Sequence, residues 1–190
     1  MYHTSGTSIG MRFGKCVCLG LTAVIAMAVV GGSCKAKRRV RVETVEEEAG
    51  PLAGFIRLSE PKTAAQLVRG FYSLEQGAWR WTKREFSVTL RPPAGAAQNG
   101  ARLEAKITVP EGVIAKLGHT NLFCTVNGHV VEPEKFDKAG EFIYKRDIPA
   151  SALSGEAVTL DFQLDKFLAA GQVEERELGL IVTTLGLLKK

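Results

Sequence analysis

The feature that most constrains this chain is an alternation of apolar and polar residues that recurs four times. Phe86, Val88 and Leu90 fall on alternate positions. The same spacing joins Leu103, Ala105, Ile107 and Val109, then Leu122, Cys124 and Val126, then Val158, Leu160, Phe162 and Leu164. Successive side chains of an extended chain point to opposite faces, so each run makes a strand with one apolar face. Strands of this kind must bury those faces against one another, which predicts stacked antiparallel sheets.

Turn signals separate the runs. Pro92-Pro93 ends the first, and Pro110 ends the second. Asn127-Gly128 follows Val126 directly. A type I′ turn needs positive φ at both central positions, so this pair predicts a hairpin whose return strand begins at His129 and runs to Val131. A further strand is read over residues 66–74, closed by Gln76-Gly77; Trp79-Arg80-Trp81 starts the next extended segment, and another strand is read over 142–148. Residues 94–100 read as a loop of small residues and residues 149–153 as a turn. Residues 111–118, between Pro110 and Gly118, read as one or two helical turns. Residues 165–175 form a polar connection around Gly171. Residues 178–188 are apolar on both faces, which predicts a strand buried between layers or under cover. About eight or nine short strands punctuated in this way indicate an all-β domain over residues 64–190, an antiparallel β-sandwich of jelly-roll type, with an up-and-down barrel as the alternative.

The N-terminal residues have a different character. Arg12 and Lys15 precede an apolar stretch over residues 16–30, followed by Gly31, Gly32, Ser33 and Cys34. This is the pattern of a secretory signal, with Met11 as the better translation start. Residues 1–34 are therefore expected to be a signal segment, and residues 35–63 a charged linker. The ending at Cys34 is similar to the bacterial lipobox and makes that cysteine the candidate lipid-attachment site, although Gly31 stands where the lipobox prefers Leu. The alternatives are an uncleaved membrane anchor, for which the apolar stretch is shorter than the roughly 20 residues of a spanning helix, and ordinary cleavage after Ala28. The cluster Lys35, Lys37, Arg38 and Arg39 reads as solvated linker or as a contact for anionic lipid headgroups. Positive charge there also favours a cytoplasmic domain should the segment remain as an anchor.

This segment explains the charge and the cysteines. The net charge of the 190-residue chain is +5. Arg12, Lys15 and the four-residue cluster carry that excess, so the domain is near neutral and nucleic acid is not an expected partner. Of the four cysteines, Cys16, Cys18 and Cys34 belong to the N-terminal segment. Only Cys124 lies in the domain, alternating with apolar neighbours, and reads as a buried, inert thiol.

A resemblance attaches to three places. Phe71-Tyr72, Glu75 and Arg80-Trp81 come first, then Asn127-Gly128, then Arg176 with Leu178-Gly179. In this order they make the chain, over about residues 70–188, resemble small jelly-roll domains of bacterial surface-polysaccharide and glycosyltransferase-associated proteins. The resemblance implies a jelly-roll fold and an association with glycans. Most of that group has no assigned activity, so no reaction is implied.

The candidate ligand-binding residues are Trp79, Arg80, Trp81, Arg84 and Arg176. Trp79 and Trp81 are the only tryptophans. Two residues apart in a strand, they share a face, with Arg80 on the other. They make either a platform for a sugar ring, with Arg84 or Glu75 supplying hydrogen bonds, or part of the core. Arg80 and Arg176 make either a convergent polar site or an ion-pair network tying the first and last strands. His119 and His129 read as solvated turn residues, and no metal site or cofactor is expected. No nucleophile elbow, phosphate loop or zinc helix is present in the sequence. Asp147, Asp161, Asp165 and Glu177 are the carboxylates from which a glycosidase pair would be drawn. The expected function is a non-catalytic structural or protein-interaction module of the cell envelope, exported and membrane-tethered, with an envelope protein or a glycan as partner. A glycan-binding module with an aromatic platform is the alternative, and a small glycan hydrolase the third reading.

Overall fold

The computed structural model describes residues 50–190. The expectations for the signal segment, for lipidation at Cys34 and for the basic cluster lie outside the described residues. Nine strands form the domain, in chain order β1 (Phe55–Arg57), β2 (Leu67–Phe71), β3 (Arg80–Leu90), β4 (Ala101–Val109), β5 (Thr120–Val126), β6 (His129–Phe136), β7 (Gly140–Ile148), β8 (Val158–Leu164) and β9 (Ile181–Lys189). Two short helices, α1 (Ala96–Asn99) and α2 (Glu111–Leu117), flank β4. All strand pairings are antiparallel.

The strands form a jelly-roll type β-sandwich. One layer, the β8 sheet, has the order β2-β3-β8-β5-β6. The other, the β9 sheet, places β9 between β4 on one side and β1 with the start of β3 on the other, and β7 lies beyond β4. The long strand β3 belongs to both: Arg80 and Trp81 pair with β9, and residues 85–90 pair with β8. The extended segment that starts at Trp79–Trp81 and the alternating run Phe86–Leu90 are thus one strand, and it passes from sheet to sheet. At the far side no ladder joins β6 to β7. There Arg146 of β7 reaches across, donating to the carbonyls of Glu132 (2.8 Å) and Pro133 (2.8 Å) and pairing with Glu134 at 2.6 Å. The guanidinium thereby satisfies carbonyls of an edge strand that Pro133 also shields from further pairing.

The four alternating runs point inward as read. Val88, Leu90, Leu103, Leu122, Val126, Val158, Leu160 and Leu164 are fully buried, and Phe86 stacks on Phe162 with centroids 4.8 Å apart. Cys124 is buried and free, and burial pushes its thiol pKa up to about 12. Asn127 (φ 47°) and Gly128 (φ 79°) form the hairpin turn between β5 and β6. Asn127 also accepts a hydrogen bond from the Thr159 backbone at 3.0 Å, which ties the turn to the start of β8.

Residues 94–100, read as a loop, hold α1, and the return strand read to Val131 runs on to Phe136. Two larger differences from the sequence reading shape the sandwich. First, the sandwich begins ahead of residue 64: β1 pairs with β9, Ile56 and Leu58 are buried, and a 3-10 helix over Pro61–Gln66 leads into β2. Gln66 closes this corner, donating to the carbonyls of Ala53 (3.0 Å) and Thr89 (2.8 Å). Second, the final strand is apolar on both faces because of a bulge. Lys106 of β4 sits opposite Thr184 and Ile107 opposite Val182, so Thr183 is an extra residue. The bulge reverses the phase, and Val182 before it and Leu185 and Leu187 after it all face the core.

Candidate functional site

The inward phase of β3, β5 and β8 leaves the alternate residues on the outer face of the β8 sheet. Glu85, Phe123, Thr125, Asp161 and Gln163 lie there around a depression of about 170 Å³. Phe123 is a large aromatic out of phase with its strand, 44% exposed. Arg69 of β2 closes the depression. Its guanidinium donates to Ser87 Oγ (2.9 Å), Glu85 (3.0 Å) and Asp161 (3.3 Å), so three strands are joined by one side chain. Hydrogen bonds to Asp161, and next to Glu85, raise the Arg69 pKa further above its ordinary value.

Arg69 and Glu85 also border a second, larger depression of about 410 Å³, whose other walls come from Lys83, Arg84, Phe167 and Glu177. The two depressions adjoin at Arg69 and Glu85. The floor of the second depends on Gly70, at φ +76°: a Cβ there would stand 1.9 Å from the Glu85 carbonyl oxygen. Only glycine lets β2 approach β3 this closely. Arg84 lies with its guanidinium carbon 5.4 Å from the centre of the Phe167 ring, and its backbone N–H donates to Glu177 Oε1 at 2.5 Å.

The five residues singled out from sequence are not gathered at one place. Arg84 lines the second depression. Arg80 donates to two backbone carbonyls, Leu58 (3.0 Å) and Tyr72 (2.9 Å), and so fastens β3 to the segments before it. Arg176 pairs with Glu75 at 2.7 Å and with Glu174, and lies over the Tyr72 ring at 5.0 Å. The two ends of the resemblance, Tyr72-Glu75 and Arg176, are therefore in contact as an ion-pair and cation–π cluster. Trp79 precedes β3 and bridges to Glu75. It borders a separate depression of about 240 Å³ with Thr108, Glu141, Ile181 and Thr183. Trp81 stands opposite Ile181 in the β9 sheet and packs against the core. Both tryptophans are half-buried. Neither Arg84 nor Glu75 borders the Trp79 depression.

Among the other residues weighed, Asp161 and Glu177 border the two adjoining depressions. Asp165 instead caps a turn, accepting from the Asn121 backbone (2.7 Å) and Asn121 Nδ2 (2.6 Å). Asp147 lies beside Arg102 and Lys190. His119 Nδ1 is 3.3 Å from Lys166 Nζ. Among the described residues no group of three His, Cys, Asp or Glu side chains is placed to hold a metal ion, and no helix is long and apolar enough to cross a membrane.

Sequence reasoning missed Arg69, Phe123 and Phe167. Arg69 carries no motif signal. Phe123 did carry one: an aromatic at the polar phase of a strand that otherwise alternates cleanly.

No family model matches the chain, and neither does any curated protein. Solved structures give loose likenesses. One is a family GH115 4-O-methyl-alpha-glucuronidase with specificity for decorated arabinogalactans, at 11% identity and a TM-score of 0.44; the match covers 67% of this chain and 17% of that one. Another is TmCBM27, a carbohydrate-binding module that recognises mannan, at 12% identity and a TM-score of 0.44, covering 73% of this chain and 97% of that one. Likenesses this loose carry neither protein's ligand over to this chain.

Proposed function

We propose that the domain is a non-catalytic glycan-binding module that takes its ligand on the outer face of the β8 sheet. The observation that supports this most is the placement of Phe123. It presents its ring to solvent beside a polar wall made by Arg69, Glu85, Asp161 and Gln163. A sugar ring offers an apolar C–H face and a rim of hydroxyls. An aromatic side chain matches the first, and fixed donors and acceptors match the second. The Arg69 bridge holds those groups in position before any ligand arrives, which lowers the ordering cost of binding.

Binding is favoured over hydrolysis by the position of Arg69. It lies between Glu85 and Asp161, in the space that a glycosidic oxygen and the attacking group would need. Protein docking is the less favoured reading. Of the exposed large apolar residues, Phe123 and Val130 lie on the paired strands β5 and β6, whereas Phe55, Val68, Ile143 and Val173 come from other segments, and the β6 edge is capped by Arg146 and Pro133. The N-terminal segment would hold the module at the cell envelope through a lipid on Cys34, a proposal that metabolic labelling with a lipid precursor tests by the loss of label in Cys34→Ala. The binding reading is tested by a polysaccharide and glycan-array screen of wild type and Phe123→Ala. Retention of at least one glycan, lost in the variant, is expected. Retention of none, or retention indifferent to Phe123, would overturn it.

A further inference from the structure

The second depression says what kind of glycan this is, if the reading above holds. Three cations border it, Arg69, Lys83 and Arg84, against two carboxylates, Glu85 and Glu177. Arg69 is committed to Glu85 and Asp161. Lys83 and Arg84 make no ion pair among the described residues. Glu177 lies close to Arg84 but accepts from its backbone N–H, so the guanidinium is left without a carboxylate partner. That guanidinium is nonetheless held in place. It rests on the Phe167 ring, 5.4 Å from its centre, while Lys83 lies 5.5 Å from the centre of the Tyr72 ring. An aromatic face under a guanidinium fixes its plane and leaves its N–H fork free for an incoming carboxylate.

We infer that the glycan is acidic, and that a uronic-acid carboxylate is taken by Arg84. The two depressions then divide the work. One sugar stacks on Phe123 and bonds to the Arg69 wall, and a neighbouring sugar presents its carboxylate to Arg84. Phe167 acts through Arg84 and is a positioning residue. A planar carboxylate suits the flat guanidinium fork; a sulfate ester shares the charge but not that plane.

The test is isothermal titration of the full chain with an oligogalacturonate, with the same oligomer methyl-esterified, and with dextran sulfate. The free acid is expected to bind about tenfold tighter than its ester, the worth of one charge-assisted hydrogen-bond pair. Arg84→Gln should bring the ratio of acid to ester affinity down to about one. Phe167→Leu should shrink the ratio of acid to ester affinity, which a merely structural role would not change. The preference should also shrink as salt is raised. Equal binding of acid and ester would overturn this inference and leave the glycan reading standing. Dextran sulfate binding as tightly as the free acid would overturn the carboxylate assignment. No binding of acid or ester by the wild type, with an empty glycan screen, would remove both.

Discussion

Replacing Gly70 by alanine separates two effects that a pair of variants can measure. Gly70 and Gly77 both have positive φ, +76° and +67°. Around Gly77 nothing lies within 4 Å of a built Cβ, whereas at Gly70 the Cβ would stand 1.9 Å from the Glu85 carbonyl oxygen and 2.6 Å from the Phe86 Cα. Alanine at either place carries the left-handed backbone penalty of about 1–2 kcal/mol. At Gly70 it must also push β2 off β3 by more than an ångström, with the roughly 1–3 kcal/mol typical of overpacking or the loss of the β2 pairing. Gly77→Ala should therefore lose about 1–2 kcal/mol and Gly70→Ala about 2–5 kcal/mol. Urea unfolding followed by tryptophan fluorescence measures both. A domain of this length should show a melting shift of about 2–4 °C per kcal/mol. Because Gly70 neighbours Arg69, the same variant should weaken ligand binding beyond its effect on stability, and Gly77→Ala should not. Equal destabilisation by the two variants would refute the close approach of β2 to β3.

Three further outcomes are expected. Arg146→Ala removes hydrogen bonds to Glu132 and Pro133 and the pair with Glu134; it should lose about 1.5–3 kcal/mol in denaturant unfolding and increase association in light scattering, as β6 becomes an unshielded edge. Cys124 should resist Ellman's reagent at pH 8 until the protein unfolds, because burial keeps its thiol neutral; fast labelling of the native protein would contradict its placement. At Asp165 burial raises the pKa, but the hydrogen bonds from Asn121, Lys166 and Thr120 outweigh it and the net shift is downward from 3.8. Its contribution to stability is present above the ordinary carboxylate pKa and is lost as pH falls through the lowered folded value. Asp165→Asn should therefore flatten the decline in melting temperature below pH 4, and an unchanged decline would contradict the capping role.

The sheet-forming part of this fold was legible in the sequence because burial on one face leaves a period-two trace. The inward residues of β4, β5 and β8 are those the alternation marks, and Asn127-Gly128 turns where it must. Where the trace misled, a local break in the period was responsible. The apolar face of β9 changes phase at Thr183, which from sequence looks the same as a strand covered on both sides. The passage of β3 from one sheet to the other left no trace in the alternation, because the exposed residues Lys83, Arg84 and Glu85 interrupt the apolar pattern there. The candidate site was less legible. Arg80 and Arg176 stood out through motif, but their partners are backbone carbonyls and nearby glutamates. The bridging role of Arg69 depends on Ser87, Glu85 and Asp161 arriving from two other strands, and no spacing in the sequence encodes that meeting.

The most direct test of the account is to map a bound oligosaccharide by amide chemical-shift perturbation. Ligand binding on the outer face of the β8 sheet predicts shifts at residues 69–70, 83–85, 123–125 and 161–163, with residues 108, 141 and 181–183 unmoved. Shifts confined to the Trp79 depression, or spread evenly over both sheets, would contradict it.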